Sequence, residues 1–119
     1  MHTSIETFLA ELSLLSSYYF PTARLETVYR RSAMVSMRLI ITPRLFVDIY
    51  FNTSTKRSDF SLILDSARVF GYDNLRTWHY HPFEAPNAHV GCPEPTLNVV
   101  FQEIAGIVAR INDETLPPR

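Results

Sequence analysis

Leu45-Phe46-Val47-Asp48-Ile49-Tyr50-Phe51 alternates residue by residue. Leu45, Val47, Ile49 and Phe51 fall on one side of an extended chain, and Phe46, Asp48 and Tyr50 on the other. That period of two is the pattern of a β-strand with one buried face. Outward toward the N-terminus, Thr42-Pro43-Arg44 reads as a tight turn. Before it, residues 34 to 42 form a second strand with Val35, Met37, Leu39 and Ile41 on one face, and residues 24 to 30 a weaker first one. Toward the C-terminus, polar Asn52 to Ser58 reads as a hairpin loop carrying Lys56 and Arg57. Strands are then expected at Phe60 to Leu64, Val69 to Tyr72 and Leu75 to His81, with a turn at Asp65 to Ala67. Connections this short permit only antiparallel neighbours, so the strands form a meander of about five to six.

Helical periods flank this core. Ile5, Phe8, Leu9, Leu12, Leu15 and Tyr19 share a stripe in a helix expected over Thr3 to Ser17, with Thr3 and Glu6 spaced as a capping box and Phe20-Pro21 closing it. A last helix starts at Thr96 and buries Leu97, Val100, Phe101, Ile104, Val108 and Ile111. Gly106 inside it suggests a close approach to another element, and residues 112 to 119 a frayed tail. Helices with one apolar stripe need a partner, and the sheet has apolar faces to offer. The expected fold class is therefore α+β, a single domain over 1-119 with both terminal helices packed on an antiparallel meander sheet.

Composition narrows the function classes. A chain of 119 residues with 46% hydrophobic residues builds one core. A single cysteine, Cys92, permits no internal disulfide. No apolar run approaches the roughly 20 residues of a membrane helix, and no basic segment leads into an apolar one at the N-terminus, so no membrane association is expected and the compartment is read as cytoplasmic. The net charge of -1 hides an asymmetry. Residues 24 to 76 carry nine basic residues against five acidic ones, an excess of +4, between acidic flanks. That middle block is a candidate surface for phosphates, with Lys56, Arg57, Arg68 and Arg76 as RNA-binding residues. The structural alternative is that arginines at strand edges keep the sheet soluble.

The densest chemistry lies between Asp73 and Cys92, which hold three of the four histidines, the one Trp and the one Cys. On a strand, His79 and His81 point the same way about 7 Å apart, with Leu75 and Thr77 on their face and Arg76, Trp78 and Tyr80 on the other. His89 can return to them from the irregular loop Phe83 to Pro95. Imidazole takes and gives a proton near neutral pH, so these residues can cleave RNA without a metal. One would deprotonate a ribose 2′-hydroxyl and another protonate the leaving 5′-oxygen, with Arg76 or Arg68 on the phosphate. Trp78 or Tyr80 could stack a base, although their face argues for the core. A second reading makes His79, His81 and His89 ligands of zinc or a similar divalent transition metal, completed by Cys92, Glu84 or Asp73. A third leaves His79 and His81 as partly buried strand residues bonded to backbone or to Asp73, Asp73-Asn74 as a turn, and His2 as a terminal accident.

The run Gly71-Tyr72-Asp73-Asn74, then Trp78-His79-Tyr80-His81-Pro82, then Asn87-Ala88-His89-Val90 before a proline-preceded helix, resembles the TumE family of small toxins. The similarity covers roughly residues 45 to 111. It implies the toxin component of a toxin–antitoxin pair, partnered by a helix-turn-helix antitoxin of the Xre type. Asp73, Asn74, His79, His81 and His89 are the positions that carry over. Pro86, Asn87 and Ala88 stand where the family often has further histidines, which thins any metal shell. The expected function is a toxin acting on RNA as a ribonuclease through His79, His81, His89, Asp73, Asn74 and Arg76, with no cofactor. Its alternative is a non-catalytic metal- or protein-binding module. A homo-oligomer is compatible with either.

Overall fold

In the computed structural model, which describes residue 2 and residues 4-115, seven strands form one antiparallel sheet in strict chain order. The strands are β1 (Arg24–Arg30), β2 (Met34–Thr42), β3 (Leu45–Asn52), β4 (Ser58–Leu64), β5 (Ala67–Asp73), β6 (His79–His81) and β7 (Val90–Gly91). Helix α1 (Ile5–Tyr19) precedes the sheet and α2 (Leu97–Thr115) follows it. The α+β meander with terminal helices is thus as expected, with β7 as one more short strand inside the loop read as structureless.

Both helices cover one face. Val35, Met37 and Leu39 of β2, Val47 and Ile49 of β3, and Phe60 and Leu62 of β4 are buried beneath Phe8 and Leu12 of α1 and Leu97, Phe101 and Ile104 of α2. Phe8 stacks on Phe51 at 4.4 Å between ring centroids, which sets α1 onto β3. The Tyr19 hydroxyl, 2.8 Å from Asn98 Oδ1, ties the two helices together.

Helix boundaries follow their caps. Ser4 is the N-cap of α1, its hydroxyl accepting from the Thr7 N–H, and Phe20 closes the helix before Pro21. The Thr3 half of the expected capping box lies outside the described residues. Thr96 caps α2 by accepting from the Val99 N–H. The helix continues to Thr115, so the expected frayed tail is helical over 112 to 115, and residues 116 to 119 lie outside the described residues. Gly106 contradicts its reading as a close approach. It is exposed, and a Cβ built there meets nothing within 4 Å.

Register places the second, helix-free face. Tyr50 pairs with Asp59, Asp59 with Asp73, Asp73 with His79 and His79 with Gly91. The neighbouring row runs Arg38, Asp48, Ser61, Gly71, His81. Directly paired residues share a face, so the polar side chains of five strands line up on the surface that carries no helix.

The expected strand over Leu75 to His81 is shortened to three residues, because turn chemistry outcompetes the alternation. Asp73 Oδ1 accepts from the Leu75 N–H at 2.9 Å, the Thr77 N–H donates to the Leu75 carbonyl, and Arg76 sits at φ 72°. Leu75 and Thr77 therefore do not extend the histidine row, and Arg76 is not on the opposite face of a strand.

Candidate functional site

Three imidazoles converge, as the spacing suggested. The β6 alternation aims His79 and His81 at the helix-free face, while turns at Pro82–Ala85 and Ala85–Ala88 bring the chain back so that His89 covers them. The His79 and His89 rings stack at 4.9 Å and 23°, and His81 meets His89 edge-on at 4.5 Å. One ligand-capable atom from each of the three lies within 4.8 Å of the others. Exposure grades them: His81 is 2% exposed, His79 9%, and His89 is exposed.

Asp73, buried at the end of β5, organises the two inner rings. Its Oδ2 lies 3.2 Å from His79 Nε2 and 3.1 Å from His81 Nε2. The opposite nitrogens are also engaged, His79 Nδ1 at 2.9 Å from the Thr77 carbonyl and His81 Nδ1 at 3.2 Å from the Pro86 carbonyl. A carbonyl only accepts, so each Nδ1 carries the hydrogen. For His81, hydrogen-bonded at Nε2 as well, both bonds are made only when both nitrogens carry hydrogen, while His79 Nε2 meets the carboxylate at ion-pair distance alone. Burial by itself would raise the Asp73 carboxyl. The Leu75 N–H and the two imidazoles outweigh it and hold the group below its ordinary range. Cross-strand Asp59 goes the other way, pushed up by burial and by the Asp73 charge against the pull of Ser61, Arg57 and Arg68. Of these paired carboxylates, Asp73 keeps its charge more firmly.

Cations complete the site. Arg57, Arg68 and Arg76 line the same open cleft of about 380 Å³ as Asp59, Asp73 and the three histidines. A larger hollow of about 590 Å³ adjoins it, sharing Arg57, Asp59, Leu75 and Arg76 and adding Tyr50. Arg68 reaches this face through a β-bulge. Phe70 pairs with Leu62 on the helix side and Arg68 with Ile63, leaving Val69 as the extra residue that flips the alternation. Gly71 leaves room below, since a Cβ there would lie 2.7 Å from the Phe60 carbonyl and 3.5 Å from Arg68 Cδ. Neither the bulge nor Tyr50 as a wall of the hollow is foreseen by the sequence reading. A Gly at the end of an apolar run was the available signal for the close approach.

Other candidates take other places, Asn74 on the wall of the larger hollow. Asn74 is a clamp: its Oδ1 accepts from the Ser58 N–H and its Nδ2 donates to the Lys56 carbonyl, pinning the β3–β4 turn. Lys56, at φ 61°, lines a different hollow with Trp78 and Glu94. Cys92 packs against the core, and burial with nearby Glu103 pushes its thiol up. It follows Gly91, which is paired with His79, so alternation turns it to the helix side and away from the histidines. Glu84 pairs with Arg110 at 3.3 Å. Trp78 and Tyr80 pack against the core, with Tyr80 5.8 Å from the Tyr72 ring, so neither is placed to stack a base at the histidines. His2 is no accident of the terminus, since its Nε2 lies 3.1 Å from Glu11 and its ring packs edge-on against Phe8.

The class these features define is a helix-backed meander sheet with a histidine, carboxylate and arginine cleft on its bare face. Comparison with protein-family models, curated proteins and solved structures finds no match to the chain. Among the described residues, no helix is long and apolar enough to cross a membrane.

Proposed function

We propose that this chain is the toxin of a toxin–antitoxin pair, acting in the cytoplasm as an endoribonuclease whose own side chains move the protons. The observation that carries the reading is the convergence of His79, His81, His89 and Asp73 with Arg57, Arg68 and Arg76 in one solvent-reachable cleft. His89, exposed and making no hydrogen bond to the other described residues, is the base that takes the 2′-hydroxyl proton. The 2′-oxygen attacks phosphorus, the bond to the 5′-oxygen breaks, and His79, held at ion-pair distance from Asp73, gives that oxygen its ring proton. A 2′,3′-cyclic phosphate and a free 5′-hydroxyl result. His81, deepest of the three, is a positioning residue that fixes Asp73.

Arg68 and Arg76 have no carboxylate partner within ion-pair distance among the described residues, unlike Arg24, Arg30, Arg38, Arg44 and Arg57. They are the guanidiniums available to a phosphate, and charge stabilisation of this kind is a large share of such catalysis. The adjoining hollow beside Tyr50 gives a neighbouring nucleotide room. An Xre-type antitoxin is the expected partner.

The test is cleavage of a defined RNA and of the same strand carrying a 2′-deoxy sugar at the cut. The deoxy strand should survive, and His79→Ala and His89→Ala should each slow cleavage by about 10²–10⁴-fold. Equal cleavage of both strands, or undiminished rates in both variants, removes this mechanism. Growth arrest on expression, relieved by the neighbouring reading frame, tests the toxin assignment separately.

A further inference from the structure

We propose that the same imidazoles form a binding site for one divalent transition ion of the zinc kind, and that ion occupancy and proton transfer exclude each other. The site half of this inference stands on geometry alone, and the exclusion half rests on the acid–base reading above.

The geometry is that of rings prepared to be ligands. Histidines that bind metal through one nitrogen anchor the other by donating to a carbonyl or carboxylate, which fixes the tautomer. His79 and His81 both do this through Nδ1, to Thr77 and Pro86, and both Nε2 atoms lie beside one carboxylate oxygen. That oxygen is Asp73 Oδ2, at 3.2 and 3.1 Å. In a tetrahedral zinc site with bonds of about 2.0 Å, neighbouring ligand atoms are ~3.3 Å apart. The two separations are thus close to the edges of a coordination tetrahedron. The three histidines have ligand atoms within 4.8 Å of one another, and a movement of exposed His89 would close the set. Three imidazole nitrogens and one carboxylate oxygen suit zinc, cobalt or nickel, whereas calcium and magnesium want all-oxygen shells. Cys92 is not among the ligands, because it packs on the helix side.

Occupancy would silence proton transfer for a simple reason. The lone pairs that would bind the ion are those through which His79 gives a proton and His89 takes one. Arg57, Arg68 and Arg76 in the same cleft oppose a dication, so the ion should exchange readily and not be locked in.

The experiment uses the full chain stripped by a chelator and titrated with zinc chloride by calorimetry, with cobalt chloride as a visible-absorption probe of tetrahedral nitrogen and oxygen ligation. One equivalent should bind. His79→Ala and His89→Ala, which remove ligands, should weaken binding by more than the roughly 10–100-fold that loss of an outer-shell partner costs. His89 is exposed, so its variant should keep the parent melting temperature, and His2→Ala should leave affinity unchanged. Zinc should then suppress RNA cleavage in proportion to occupancy, and EDTA should restore it. Stoichiometric binding with no cleavage in any state supports the ion site and overturns the ribonuclease reading. Cleavage that appears only with metal supports the site and overturns the exclusion. Cleavage without one-equivalent binding overturns the site and leaves the ribonuclease reading standing.

Discussion

At Asp73 a single carboxylate holds two imidazoles, and the residues around it differ sharply in what their loss should do. His81 is buried and fixed at both nitrogens, so His81→Ala leaves Asp73 and the Pro86 carbonyl short of donors inside the protein. A loss of about 1–3 kcal/mol is expected in urea unfolding. His89→Ala should change stability by no more than about 0.5 kcal/mol while removing cleavage, because the ring lies on the surface. A stable His81 variant would show that the inner rings carry little structure. The glycines form a second contrast. Gly71→Ala drives a methyl into the Phe60 carbonyl, backbone that cannot step aside, and should destabilise by about 1–3 kcal/mol. Gly106→Ala, in open space on a helix, should raise stability by up to about 1 kcal/mol. Thermal melts of the two should move in opposite directions.

Among the elements, β2, β3 and both helices were legible because one face of each is buried, and burial writes its period into the sequence. Leu45 to Phe51 and the stripe from Leu97 to Ile111 are the clearest cases. The convergence of His79, His81 and His89 was legible too, through strand spacing and a return loop. What was hidden depends on bonds that leave no period. The 73 to 78 turn is set by an Asp side chain and by Arg76 in the left-handed region, where a glycine would have announced it. The Val69 bulge is one residue of misfit that no alternation rule reveals. Two-residue β7 is too short to carry a pattern at all. Asn74 is the linchpin between these irregular parts and the β3–β4 hairpin. Asn74→Ala should cost about 1–2 kcal/mol through its two lost bonds, to the Ser58 N–H and the Lys56 carbonyl. Hydrogen exchange should quicken first at residues 53 to 58, and unchanged protection there would contradict the clamp.

Over the whole molecule, charge is partitioned between paired and unpaired cations. Five of the nine basic residues in the middle block are matched to carboxylates, and Arg31, Lys56, Arg68 and Arg76 have none within ion-pair distance among the described residues. An acidic antitoxin segment laid over Arg68 and Arg76 would cover the cleft. Raising salt from 50 to 500 mM should then weaken that complex severalfold, chiefly by slowing association. A salt-indifferent affinity would point to apolar docking elsewhere. The strict chain order of the seven strands has a kinetic corollary. Each hairpin can close with its immediate predecessor, so the search for partners is short and the sheet should form in a single fast phase. The distant encounters left are those of the terminal helices, each with the sheet and α2 with α1. Stopped-flow refolding should therefore slow when that contact is cut by Phe101→Ala, and hardly change when the cleft is emptied.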